Sequence, residues 1–252
     1  YVAVVGSYAY VTTAGTGNDF HVVDVSDSNS PVEVSSLSLP AGANSVYVSG
    51  KYAYVTTDVT GDDLQIIDIS NPGNPVLTGS INLSTSASSV YVLGRYAYVT
   101  TLGTGNDFHI IDVGDPTSPK ELVSLNFPDA ANSVVVNGNY AYVVTNSLGG
   151  LYVINVSDPN TPTTVGSLSL PDSAKDIAIQ GPYVYVTTFG IGNDFHIISV
   201  RNPNVPTEVS SLNLATGANA VSVIGSYAYV VTNGTGDDFH VINISASTAP
   251  IE

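Results

Sequence analysis

The chain has no cysteine, no methionine and no tryptophan, and only five of its 252 residues are lysine or arginine. Without cysteine, neither a disulfide framework nor thiolate metal ligation is available. Translation begins with methionine, so its absence points to a processed or excised part of a longer product, as a secreted or surface protein becomes once its signal is removed. Five bases against 21 acids give a net charge of −16. That balance disfavours a phosphate backbone, and no nucleic-acid partner is expected. No apolar run approaches the roughly 18 residues that cross a bilayer, so no membrane span is expected.

What is present is repetition. The tyrosine that opens each "YAYV" phrase recurs as Tyr8, Tyr52, Tyr96, Tyr140, Tyr183 and Tyr227, every 43 or 44 residues. Each copy has a glycine two residues earlier and a threonine five residues later. Within a copy, "SVYVSGKYAYVTT" alternates about a Gly-centred turn as strands A and B, "LQIIDIS" is a β-branched strand C, and "VLTGSINL" is strand D. In the fourth copy Asn137-Gly138 supplies a hairpin signal. Four antiparallel strands per 44 residues, six times over, predict an all-β, six-bladed β-propeller occupying residues 1–252 as one domain. Residues are short for the sixth unit, so its outer strand is expected to be missing from this chain. That leaves strand C, "DFHVINIS", as an edge for a continuation of a longer polypeptide or for another copy. In strand B the tyrosines share one face and Ala with Val the other, so a large face should meet the small face of the next blade.

The phrases "FHVVDVSDSNSP", "LQIIDISNPGNP", "FHIIDVGDPTSP" and "LYVINVSDPNTP", joined by "GKYAYVTT", resemble the LVIVD-repeat family, related to the YVTN propellers. The resemblance covers essentially the whole chain and implies an extracellular or cell-surface propeller. "ISVRNPNVP" and "INISASTAP" depart from the family's Asp and Asn-Pro positions.

All four histidines, His21, His109, His196 and His240, occupy one position of strand C, where the second copy has Gln65 and the fourth Tyr152. Packed sheets lie roughly 10 Å apart, so equivalent histidines cannot share one metal, and they read as structural. Asp19, Asp63, Asp107, Asp194 and Asp238 end the B–C loops. Two readings stand: each fixes its own tight turn by accepting a backbone N–H, or the rim binds ligand. In "TGDD" the pairs Asp62–Asp63 and Asp237–Asp238 are candidate calcium ligands, although no loop has EF-hand spacing. Asn44, Asn132 and Asn219, with Ser88 and Lys175, should ring the axial mouth. Eleven acids (Asp19, Asp58, Asp62, Asp63, Asp107, Asp129, Asp172, Asp176, Asp194, Asp237, Asp238) fall on the B–C and D–A rim, and Lys51, Arg95, Lys120 and Arg201 fall on the other, which predicts one strongly negative rim.

No nucleophile with a base is identifiable, so the expectation is a protein that is not an enzyme and needs no cofactor beyond possible calcium. It would serve as a surface scaffold or protein-interaction module, partnered by proteins that include copies of itself. The alternative is a glycan-binding, lectin-like propeller assisted by calcium.

Overall fold

A computed structural model describes residues 1–252 apart from 16, 59–60, 84, 104, 147–149, 191, 215 and 235–237. The chain is an all-β six-bladed propeller whose first five blades have four strands and whose sixth has three, with no helix among the described residues. Its contacts divide it into two compact units of three blades, Tyr1–Asn126 and Phe127–Glu252.

In the first unit, blade one is β1 (Val2–Val5), β2 (Tyr8–Thr12), β3 (Asn18–Asp24) and β4 (Val32–Ser38). Blade two is β5 (Ala43–Ser49), β6 (Tyr52–Thr57), β7 (Leu64–Asp68) and β8 (Val76–Ile81). Blade three is β9 (Ala87–Leu93), β10 (Tyr96–Thr101), β11 (Phe108–Asp112) and β12 (Lys120–Leu125). In the second unit, blade four is β13 (Ala131–Asn137), β14 (Tyr140–Thr145), β15 (Gly150–Asn155) and β16 (Thr163–Ser169). Blade five is β17 (Ser173–Gln180), β18 (Tyr183–Phe189), β19 (Phe195–Ser199) and β20 (Thr207–Leu212). Blade six is β21 (Ala218–Ile224), β22 (Tyr227–Thr232) and β23 (Phe239–Asn243), beside which a single bridge joins Asn243 to Ile251.

Every A–B hairpin turns on two residues. In blade four Asn137 pairs with Tyr140, so the turn is Gly138-Asn139, one residue later than the Asn-Gly signal suggests. The glycine at the first turn position has φ near +60° in every blade (+58° at Gly138), a region open to Gly, and the residue after it does not have positive φ, which makes the turn type II′.

The predicted pairing of large and small faces holds within each unit. Tyr10, Phe20 and Val22 of blade one pack on Ala43, Val46, Ala53, Val55 and Ile67 of blade two. Tyr185, Phe195 and Ile197 of blade five pack in the same way on Ala218, Val221, Ala228, Val230 and Ile242 of blade six. We call the Phe-bearing side of a blade its trailing face and the Ala-bearing side its leading face. Burying one such Phe stabilises by about 1.5–3 kcal/mol, which makes these seams the main cohesive element. Within the units the second tyrosine of the pair is drawn into the seam in blades one, two, four and five, and burial raises the phenol pKa of Tyr54, Tyr142 and Tyr185.

Candidate functional site

In blades two to five, one bulge in strand A and one in strand D decide where the polar side chains go. In strand A, Ala43 pairs with Thr57 and Ser45 with Thr56, so Asn44 is the extra residue. The same shift falls at Asn132, Lys175 and Asn219. A bulged residue leaves the ladder and re-aims its side chain. Asn44 Nδ2 donates to the Ala87 carbonyl at 2.8 Å, and Asn132 Nδ2 to the Ala174 carbonyl at 2.5 Å. These two asparagines tie adjacent inner strands together. Asn219 is exposed, and Lys175 Nζ lies 5.9 Å from the Phe189 ring centroid.

One inner-strand acid departs from the repeat. Asp176 stands where other blades have Ser45, Ser89, Ser133 or Ala220, and it is buried. Its Oδ1 accepts from Ser133 Oγ at 2.8 Å and its Oδ2 from the Val221 N–H at 3.0 Å, linking blades four, five and six. Burial raises its pKa, partly offset by those donors.

Two of the loop aspartates reach beyond their own turns. Asp19, Asp63, Asp107 and Asp194 are buried. Asp63 Oδ2 accepts the Leu83 N–H at 2.6 Å and Asp194 Oδ2 the Leu214 N–H at 3.3 Å, each 20 residues away beyond strand D. The carboxylate therefore fastens the exit of strand D to the start of strand C. Burial raises the Asp194 pKa, opposed chiefly by the Leu214 N–H. The loop itself is held by the recurrent threonine: Thr57 Oγ1 donates to the Asp62 carbonyl, Thr101 to Asn106 and Thr188 to Asn193. Asp62 and Asp238 are exposed while Asp63 is buried, and Asp237 lies outside the described residues. Among the described residues no group of three or more His, Asp or Glu forms a metal-binding cluster.

With Asp19, Asp63, Asp107, Asp176 and Asp194 buried, five of the eleven acids assigned to the negative rim carry no surface charge there. On the opposite rim two bases are paired: Arg95 grips Asp112 with two hydrogen bonds, and Lys51 lies 3.9 Å from Asp68. The acids of the "DVSD" phrase build the C–D turn. Asp24, Asp68 and Asp112 each accept the N–H two residues on.

Sequence reasoning missed the glutamates. His21, His109, His196 and His240 donate through Nδ1 to Glu33, Glu121, Glu208 and Glu252 at 3.0, 2.8, 2.9 and 2.6 Å. Opposite Nε2 of His109, His196 and His240 stands the threonine of strand B, at 3.1–3.5 Å. The bulge in strand D makes the first contact. Ile110 pairs with Val123 but Ile111 with Glu121, so skipping Leu122 turns Glu121 onto the histidine's side of the sheet. Where histidine is absent so is the glutamate: Gln65 goes with Leu77 and Tyr152 with Thr164. The threonine hydroxyls and imidazoles of blades three and five are buried, so these are braces between strands B, C and D with no access for substrate.

Among the described residues, three of the open surfaces bear on binding. Between blades one and two, a cleft of about 750 Å³ is lined by Gly17, Asp19, Pro40, Gly42 and Asp58. In the second unit, the trailing face of blade six is uncovered: Phe239 is 60% exposed and Val241 42%, against 0% for Phe195 and Ile197 at the same positions in blade five. In the first unit, the leading face of blade one is uncovered, with Val2 55% exposed against 3% for Val46.

The LVIVD repeat pattern matches residues 1–38, 41–83, 84–126, 129–169, 171–214 and 216–252. No curated protein matches the chain. Among solved structures, a protein from Lactobacillus plantarum superposes with a TM-score of 0.86 at 14% identity, covering 98% of this chain and 81% of its own. A periplasmic gluconolactonase from Pseudomonas aeruginosa gives 0.82 at 13%, covering 96% and 80%. A candidate 6-phosphogluconolactonase from Bacteroides uniformis gives 0.78 at 13%, covering 96% and 78%. At such identities the likeness shows the fold alone. It also corrects the expectation that the chain is not an enzyme, because propellers of this fold include gluconolactonases and the architecture does not exclude catalysis.

Proposed function

The chain belongs to the LVIVD-repeat family, and from that premise we propose that it is a protein-interaction scaffold working outside the cell or at its surface. The observation that carries this is the uncovered trailing face of blade six. Phe239 stacks on Tyr229 with ring centroids 6.2 Å apart and planes at 20°, as Phe195 does on Tyr185, yet no further sheet of its own unit covers it. Contiguous exposed apolar area of this kind marks a protein-binding surface. The chain contains no thiol, so Phe239→Cys gives a single reactive handle. Maleimide labelling of dilute, folded protein should proceed at close to the rate of the denatured chain. Labelling slowed by orders of magnitude in a monomer would refute the reading. Location is tested separately, by whether an impermeant reagent labels the protein on intact cells.

The cleft beside Asp19 and Asp58 favours a second reading, carbohydrate binding with or without calcium. Its glycine-lined wall leaves room for a sugar ring, and the exposed Asp58 carboxylate stands at its edge. A glycan array, with and without a chelator, tests it; no binding in either condition sinks it.

A further inference from the structure

We infer that the cavity between blades five and six binds a tetrahedral oxyanion, a sulfate or phosphate group, through Arg201, Tyr183 and Ser247. The cavity, about 410 Å³, lies within the second unit, and Gln180, Tyr183, Ser226, Ser245 and Ser247 are among the residues that line it. It shares no residue with the blade-six face or with the cleft beside Asp19, so the inference stands apart from both readings above.

The two C–D turns beside it, "SVRNPNV" and "NISASTA", are the ones that depart from the repeat. Each of the other four turns carries at least one aspartate, whereas these two carry no acid. On a chain of net charge −16 that leaves a local gap in the negative surface. In blades two and three, a base from the A–B turn lies over the first tyrosine and is neutralised. Lys51 Nζ is 5.1 Å from the Tyr52 ring centroid and faces Asp68, and Arg95 Cζ is 5.8 Å from that of Tyr96 and grips Asp112. Blade five has Pro182 in the turn and Ser199 in place of the aspartate. Its cation comes instead from the C–D turn: Arg201 Cζ lies 5.6 Å from the Tyr183 centroid, and among the described residues it has no carboxylate partner. The counter-charge that two sister blades build in is the one this blade leaves to a ligand.

The donors converge on one atom. Arg201 Nη2 donates to Tyr183 Oη at 3.5 Å, and Ser247, where blades two to five have proline, hydrogen-bonds the same oxygen. The Ser247 and Arg201 contacts hold that phenol below its ordinary range. A guanidinium and two hydroxyls therefore meet at one edge of the cavity, with the exposed Ser226 and Ser245 on its wall and no acid in the lining. One fixed charge with several hydroxyl donors suits the four acceptor oxygens of a tetrahedral anion more than the two of a carboxylate.

NMR titration of ¹⁵N-labelled protein with inorganic sulfate and, separately, inorganic phosphate at constant ionic strength tests this. Either anion should shift the Ser226, Ser245 and Ser247 amides saturably, with a dissociation constant at or below about 10 mM, within reach of two charge-assisted hydrogen bonds. The tighter of the two identifies the group. Arg201→Ser and Ser247→Pro install residues that other blades carry at those positions, so both should fold. Arg201→Ser should weaken binding by about tenfold or more, the loss of one charge-assisted hydrogen bond. Ser247→Pro should weaken it less, and Tyr183→Phe serves in its place should the proline disturb its turn. Lys51→Ser, in another blade, should leave binding unchanged. No saturable shift with either anion overturns the inference, as does an Arg201→Ser protein that binds like wild type. Acetate bound as tightly as sulfate and phosphate overturns the tetrahedral assignment.

Discussion

Asp176 allows two opposed effects at one residue to be separated. In Asp176→Ala the Val221 N–H and the Ser133 hydroxyl lose their acceptor in a buried site. An unsatisfied buried donor costs about 1–3 kcal/mol, and the hydroxyl can partly rescue itself by rotation, so a net loss of about 2–4 kcal/mol is expected. In Asp176→Asn the amide oxygen still accepts from Val221 and the amide nitrogen donates to Ser133 Oγ, with no charge left to desolvate. The asparagine variant should therefore match or exceed wild type at pH 7. The sign follows from the raised pKa of Asp176. A carboxyl whose folded pKa lies above its unfolded value contributes its full stability below the unfolded pKa and loses it as pH rises through the folded one. The advantage of Asn over wild type should thus be largest at neutral pH and shrink towards pH 4. Urea denaturation of the three proteins across pH 4–8 measures it. An alanine variant as stable as wild type, or an Asn advantage that grows as pH falls, would refute the argument.

Three further outcomes follow from the same geometry. His196→Ala removes a buried ring with bonds to Glu208 and Thr188 and should cost about 2–4 kcal/mol by denaturant titration; Glu208→Gln keeps an acceptor and should cost much less. Asp63→Ala strands the Leu83 N–H and should lose about 1–3 kcal/mol, most of it recovered in Asp63→Asn, whose carbonyl still accepts. In blade one, His21 holds the Glu33 carboxyl below the ordinary glutamate range, so the contribution of that pair is present above that range and is lost as pH falls through the lowered value; an NMR titration in which Glu33 titrates above a free glutamate would contradict it.

The fold was open to sequence reading because it is written six times. The Gly and Thr flanking each tyrosine pair, and the alternation of Tyr with Ala, are local signals, and the hairpin turns and seam faces follow from them. What lay beyond reach was set by bulges. Asn44 and Glu121 owe their directions to one inserted residue each, and a shift of one residue moves a side chain to the other face of a sheet. Two readings stood open for the loop aspartates, and neither foresaw the reach of Asp63 or Asp194, because sequence gives no sight of a backbone N–H 20 residues away. Surface charge was overcounted for the same reason.

The glutamate braces nevertheless left a trace in the sequence. Histidine and glutamate come and go together twelve residues apart: both are present in blades one, three, five and six, and both are replaced in blade two by Gln65 and Leu77 and in blade four by Tyr152 and Thr164. Repeats inside one chain act as their own comparison set, and a pair that varies jointly across them reports a contact. In blade four the space is taken by the Tyr152 ring, whose centroid lies 4.7 Å from that of Phe127. In blade two Gln65 turns its amide back to the Asp62 carbonyl at 2.7 Å. Neither substitute presents an imidazole N–H to strand D, which is why the glutamate can be dispensed with in those blades. A brace that two blades replace by unrelated chemistry is held for packing rather than for a reaction. That conclusion directs the search for activity away from the histidines and towards the uncovered faces.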